Sequence, residues 1–123
     1  MGYKREKILC VEDDPDVCPM LQTLLPDFEL TSVATKAEAI QKAREEKFAL
    51  IFMDYRLPDG TGEEACRLIR YFDNKTPILF ITGVSSFTET KARSIGAQGT
   101  LKKASPTFID ELKHRTSELA LGK

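Results

Sequence analysis

The chain has no tryptophan and a single histidine, His114, among its 123 residues. One histidine in a C-terminal amphipathic stretch argues against a histidine-based triad or general acid, and against a zinc site, which needs several soft ligands at set spacings. There are only three cysteines, Cys10, Cys18 and Cys66, an odd number with no C-x-x-C. That count reads as free thiols in a reducing cytosol, with Cys10 part of the core. No apolar run approaches the roughly 20 residues of a spanning helix. No apolar h-region of signal-peptide length follows the basic start MGYKREK, so no secretory signal is expected, and Glu6 breaks the myristoylation pattern after Gly2. Nor is there an excess of one charge. A formal net charge of −1 supplies no field to hold nucleic acid or an anionic membrane surface. Linkers, repeats and low-complexity segments are also missing. These absences leave one soluble domain over residues 1–123, cytoplasmic, with no output domain, no direct nucleic-acid binding and no membrane contact.

What is present is an alternation of short apolar runs and amphipathic stretches. Lys7–Val11, Phe28–Val33, Phe48–Met53, Pro77–Ile81 and Gln98–Lys102 read as strands, the second more polar and suited to an edge. Between and after them lie helical periods over Val17–Leu25, Thr35–Glu46, Thr61–Phe72, Ser86–Ile95 and Ser105–Leu119. Pro19 is tolerable in the first turn if Asp16 caps the first helix. Thr35–Glu38, Thr61–Glu64 and Ser86–Glu89 are capping-box sequences. Ser105-Pro106 puts a cap before a proline at the first helical position, and Gly96 suits a helix stop. Strands and helices alternating at this spacing predict an α/β fold: a doubly wound, five-stranded parallel sheet, flavodoxin-like (βα)5, with helices on both faces.

In such a sheet all strand ends point one way, so residues distant in sequence meet on one rim. Strand one ends in Glu12, Asp13 and Asp14, strand three in Asp54, strand four in Thr82, and strand five in Lys102 and Lys103. Carboxylate pairs about 4 Å apart repel by roughly 4 kcal/mol at an effective dielectric near 20. A divalent cation relieves that repulsion, and oxygen-only ligands point to Mg²⁺. A carboxylate held beside Mg²⁺ can take a phosphoryl group, with a lysine offsetting the charge on the phosphoryl oxygens.

These motifs resemble the response-regulator receiver domain of bacterial two-component signalling. KILCVEDDPDV is similar to the family's first strand and acidic cluster, IFMDYRLPDGTG to its phosphoacceptor loop, and ITG and GAQGTLKKASP to its switch threonine and lysine-bearing fifth strand. The resemblance covers nearly the whole chain. It implies Asp54 as phosphoacceptor, with Thr82 and Lys103 contacting the phosphoryl group. It implies Mg²⁺ held by Glu12, Asp13, Asp54 and the backbone carbonyl of Arg56. A histidine kinase or phosphotransfer protein would be the donor, and a downstream protein the target, with the domain a signalling acceptor rather than an enzyme. Asp14 is left as a spare acid and a helix cap, and Lys102 as a solvated neighbour of Lys103. Tyr55, Arg56 and Val84 would border the path of attacking water.

Two departures stand out. The family's aromatic three positions before the lysine is Thr100 here, with Tyr3, Phe80 and Phe87 as weak substitutes. The proline after the lysine is Ala104, so a cis bond there would cost about 3 kcal/mol. Three other readings compete. A phosphorylation-independent docking module would need none of the acids. A flavodoxin-like nucleotide binder would need a glycine-rich loop where three acids stand. A phosphatase with an aspartyl nucleophile, of the haloacid-dehalogenase-like kind, would need its D-x-D directly after strand one.

Overall fold

The computed structural model describes residues 4–122. Its elements run β1 (Glu6–Val11), α1 (Val17–Leu24), β2 (Phe28–Val33), α2 (Lys36–Glu45) and β3 (Leu50–Met53). A two-strand hairpin follows, β4 (Arg56–Leu57) and β5 (Gly60–Thr61). Then come α3 (Gly62–Arg70), β6 (Ile78–Thr82), α4 (Glu89–Ser94), β7 (Gly99–Lys102) and α5 (Phe108–Leu121). Five strands form one parallel sheet in the order β2-β1-β3-β6-β7. The expected fold class is therefore found, and the polar second strand is an edge.

Period-two alternation along the inner strands divides the core. Leu9, Val11, Ile51, Met53, Ile78 and Phe80 face one side, where Ala39 of α2, Ala65, Cys66 and Ile69 of α3 and Ala92 of α4 cover them. Ile8, Cys10, Leu50, Phe52, Leu79 and Ile81 face the other, under Cys18 and Leu21 of α1 and Leu112 of α5. Each central strand is buried on both faces, which is why its sequence reads as a continuous apolar run.

Side chains occupy the outward positions of both edge strands. The Gln22 amide donates to the Phe28 carbonyl (2.8 Å) and accepts from the Leu30 N–H (3.0 Å). On β7, Glu89 accepts from the Thr100 N–H (2.8 Å), and Arg115 donates to the carbonyl of Gln98, the residue just before the strand (3.1 Å).

Several helix starts differ from expectation. Asp16 holds the N-cap position of α1, yet makes no side-chain cap bond; Asp14 instead accepts from the Asp16 N–H. Pro19 sits in the first turn, as required. The Thr61–Glu64 capping box is complete. At α2, Thr35 caps Glu38, whose own carboxylate turns to the Ala34 N–H and Thr35 Oγ1 instead of the N-cap amide. The third box fails: α4 begins at Glu89 with Thr88 as its cap, because Phe87 is buried against Tyr55 and Phe80 and cannot enter a helical turn. Gly96, with φ +94°, ends α4 as expected. The last helix starts at Phe108, not Pro106. Ser105 Oγ accepts from the Thr107 N–H and closes a turn before it. All peptide bonds among the described residues are trans, including Lys103-Ala104, and Tyr3 lies outside those residues.

The cysteines also correct the sequence reading. Cys10 and Cys18 form a disulfide, with Cα atoms 6.2 Å apart. Cys10 faces the α1 side of the sheet, and α1 folds back over it, so a pair eight residues apart meets without any C-x-x-C. Only Cys66 is free, and it is buried. Burial pushes its thiol up to about 11. The argument for a reducing compartment from three free thiols no longer holds.

Candidate functional site

The order in which strands are added to the sheet reverses at the junction of β1 and β3, and a crevice opens beyond the carboxyl ends of those parallel strands. β1 delivers Glu12 to it and β3 delivers Asp54, whose N–H donates to the Val11 carbonyl across the two strands (3.0 Å). Glu12, Asp13 and Asp54 each offer an oxygen, all within 4.8 Å of one another. Glu12 is buried, Asp54 half-buried and Asp13 exposed. Lys103 reaches over from the end of β7. Its Nζ lies 2.7 Å from Glu12 Oε1 and 3.6 Å from Asp54 Oδ2. The Lys103 N–H donates to the Thr82 carbonyl (3.1 Å), which fixes the lysine beside the end of β6.

The charges are arranged against their neighbours. Burial raises the Glu12 carboxyl above its ordinary value, the Asp54 charge adds to that, and the bond from Lys103 opposes it. Burial alone would lower Lys103. Its bond to Glu12 and the charge of Asp54 outweigh burial and hold the ammonium above its ordinary value. A compact oxygen-only donor set with surplus negative charge fits a hard divalent cation such as Mg²⁺. One ammonium against three carboxylates leaves room for it.

Beside the acids is an open cleft of about 480 Å³ lined by Asp54, Arg56, Lys103 and the run from Thr82 to Ser86. Thr82 is fully buried, and its Oγ1 accepts from the Val84 N–H (3.0 Å). Asp54 Oδ1 accepts from the Tyr55 N–H (2.8 Å). The β4–β5 hairpin carries Arg56 and is anchored at its tip, where both oxygens of Asp59 accept from the Lys36 and Ala37 N–H groups at the start of α2.

Family comparison accounts for this geometry. The model of the response regulator receiver domain matches residues 8–116. The chain belongs to the response-regulator receiver domain family. The transcriptional regulatory protein ZraR of Klebsiella oxytoca is 32% identical over 121 residues, covering 96% of this chain and 27% of that protein. The receiver therefore spans about a quarter of that relative's length. The receiver domain of the sensor histidine kinase PA1611 from Pseudomonas aeruginosa, solved with a magnesium ion coordinated in its active-site cleft, is 25% identical. It superposes with a TM-score of 0.83 over 98% of this chain and all of that one. The response regulator TrrA of Thermotoga maritima, solved in complex with Mg²⁺-BeF, is also 25% identical, with a TM-score of 0.82 over 93% of this chain and 98% of that one. No helix among the described residues is long and apolar enough to cross a membrane.

Glu12, Asp13, Asp54, Thr82 and Lys103 thus meet on this receiver's rim. Lys103 and not Lys102 faces the acids. Lys102 is not a solvated neighbour, however: its Nζ donates to the carbonyls of Val84 (2.9 Å) and Phe87. Two further residues escaped the sequence reading. The Asp59 anchor was hidden in a turn sequence. At Gly62, an added Cβ would lie 2.0 Å from the Asp54 carbonyl oxygen. Tyr55, expected to border the path of attacking water, is not among the residues lining the cleft; its ring packs on Phe87 with centroids 4.8 Å apart.

Proposed function

We propose that this receiver is the phosphoacceptor of a phosphorelay, taking a phosphoryl group on Asp54 from a histidine kinase or phosphotransfer protein. In the transfer, the donor's N–P bond breaks and its electron pair returns to the imidazole nitrogen. A P–O bond forms to Asp54. Lys103 carries the reading: one ammonium spans Glu12 and Asp54 at the mouth of a cleft able to admit a phosphoryl group. Its charge would offset the phosphoryl oxygens. The Thr82 hydroxyl, which now accepts from Val84, keeps its own hydrogen to donate to one of them. Glu12, Asp13, Asp54 and the Arg56 carbonyl would hold Mg²⁺, which when bound supplies further neutralising charge in the transfer. Arg56 and Val84 border the approach of hydrolytic water.

The donor must reach Asp54 from this rim. Met20 of α1 and Ile109 of α5, both exposed, give it apolar footing there, beside the loop that follows Lys103. A phosphate on Asp54 then shifts a two-state equilibrium through Thr82 and the β6–α4 loop, which a downstream protein reads. The chain acts as one cytoplasmic receiver unit and promotes its own phosphorylation and dephosphorylation without turning over another substrate.

Intact mass after treatment with acetyl phosphate and Mg²⁺ tests the reading. One phosphoryl group should be gained, about 80 Da. The gain should require Mg²⁺ and vanish in Asp54→Ala. No adduct on a chain that binds Mg²⁺ would leave a docking module as the better account.

A further inference from the structure

The β6–α4 loop of this receiver is held by an arrangement that involves no aromatic at position 100. Thr100 and Lys102 share one face of β7, opposite to Leu101. The ammonium of Lys102 donates to the Val84 carbonyl at 2.9 Å and to the Phe87 carbonyl. Among the described residues no carboxylate pairs with it, so this half-buried cation is committed to two backbone oxygens. The same loop is gripped from its other side. The Val84 N–H donates to Thr82 Oγ1 at 3.0 Å, and the Phe87 N–H donates to the Val84 carbonyl at 3.2 Å. The Phe87 ring packs on Phe80 and on Tyr55, the residue after the phosphoacceptor, with centroids 4.5 and 4.8 Å apart. Val84 is therefore held at its N–H by the hydroxyl that faces the phosphoryl cleft and at its C=O by Lys102.

We propose that Lys102 is a positioning residue: it clamps the Val84–Phe87 turn to β7 and so holds the Val84 wall of the phosphoryl cleft and the partner of Thr82. The two adjacent lysines divide the work by strand parity. Lys103 points to Glu12 and Asp54, and Lys102 to the loop whose Val84 lines the cleft beside them. The bonds are charge-assisted and so stronger than those between neutral groups. The proposal rests on the phosphoacceptor reading above. It deepens that reading by assigning loop control, and with it phosphate lifetime, to a residue outside the acid cluster.

Lys102→Met keeps the aliphatic stem and removes the donors, and Lys102→Arg restores donors at that position. Three quantities decide the matter in the full chain: decay of the aspartyl phosphate by intact mass, Mg²⁺ affinity by calorimetry, and hydrogen exchange at the Val84 and Phe87 amides. Lys102→Met should shorten the phosphate lifetime roughly three- to tenfold as the wall loosens to water. Exchange at the two amides should quicken by about tenfold, with Mg²⁺ affinity unchanged. Lys102→Arg should recover most of both effects. Faster exchange with an unaltered lifetime would make Lys102 a mere staple and overturn the proposal. A lifetime that shortens only in step with weaker Mg²⁺ binding would overturn it too. If the native chain takes no phosphoryl group, the phosphoacceptor reading is what fails. Exchange alone then judges the clamp, and unchanged rates in Lys102→Met reject it.

Discussion

Glu12 holds its proton more tightly than a free glutamate because it is buried and faces Asp54, and Lys103 only partly offsets this. The sign of the consequence follows. Its folded-state value is raised, so in the metal-free protein its contribution to stability is present below the free-glutamate value of 4.5. That contribution is lost as pH rises through the raised value. A cation reverses the preference, since it binds the ionised form. Apparent Mg²⁺ affinity should therefore fall on acidification while pH is still above the ordinary glutamate range. Glu12→Gln should flatten that component of the profile and weaken binding at neutral pH. Calorimetric titrations across the mildly acidic range would check both. At this scale the sequence was most informative where a residue follows a strand: Glu12, Asp13, Asp54, Thr82 and Lys103 are placed by the ends of apolar runs. Lys102 was not legible in the same way. Strand parity says that it points away from Lys103, but not which loop carbonyls await it there.

At the scale of elements, the approach of α3 to β3 matters most. The first residue of α3, Gly62, has no room for a side chain: an added Cβ would meet the Asp54 carbonyl oxygen, Met53 Cγ at 2.8 Å and Phe80 Cε2 at 3.0 Å. The nearest of these is backbone, which cannot turn aside. Gly62→Ala should cost about 1–3 kcal/mol of stability by overpacking. It should also slow phosphorylation by acetyl phosphate, because the peptide it displaces carries the acceptor. Urea unfolding and initial phosphorylation rates measure the two effects, and a variant as stable and as fast as the native chain would refute the argument. Strands and capping threonines were readable because apolar runs and S/T-x-x-E patterns are local signals. The starts of α4 and α5 were not, since burial of Phe87 and the Ser105–Thr107 turn are tertiary and side-chain outcomes that a local pattern does not contain. The hairpin that carries Arg56 was likewise hidden, its register depending on Asp59 reaching α2.

For the molecule as a whole, the Cys10–Cys18 disulfide ties α1 to the sheet close to the acidic rim. Closing so short a loop in the unfolded chain is worth about 2–3 kcal/mol in the chain-entropy account. Reductant should lower the urea midpoint accordingly, while a Cys10→Ala, Cys18→Ala double variant should not respond to it. Unfolded without reductant, the native chain should present a single thiol, Cys66, to an alkylating reagent. The folded chain should protect that thiol, whose burial holds it at about 11. The overall architecture was legible from sequence because alternation of strands and helices leaves few topologies. The disulfide was not, because proximity across a βα unit depends on how the helix folds back.

The two outer strands have one more consequence. An exposed strand edge is a template on which another chain can add a strand. Here Gln22 lies along β2 as a surrogate partner, and Glu89 with Arg115 does the same for β7. For two copies to join by sheet extension, each would first have to peel these side chains away. Encounters between copies are thereby steered to the helical faces, and the domain can be crowded, or set beside other sheets in a larger assembly, without zipping into them.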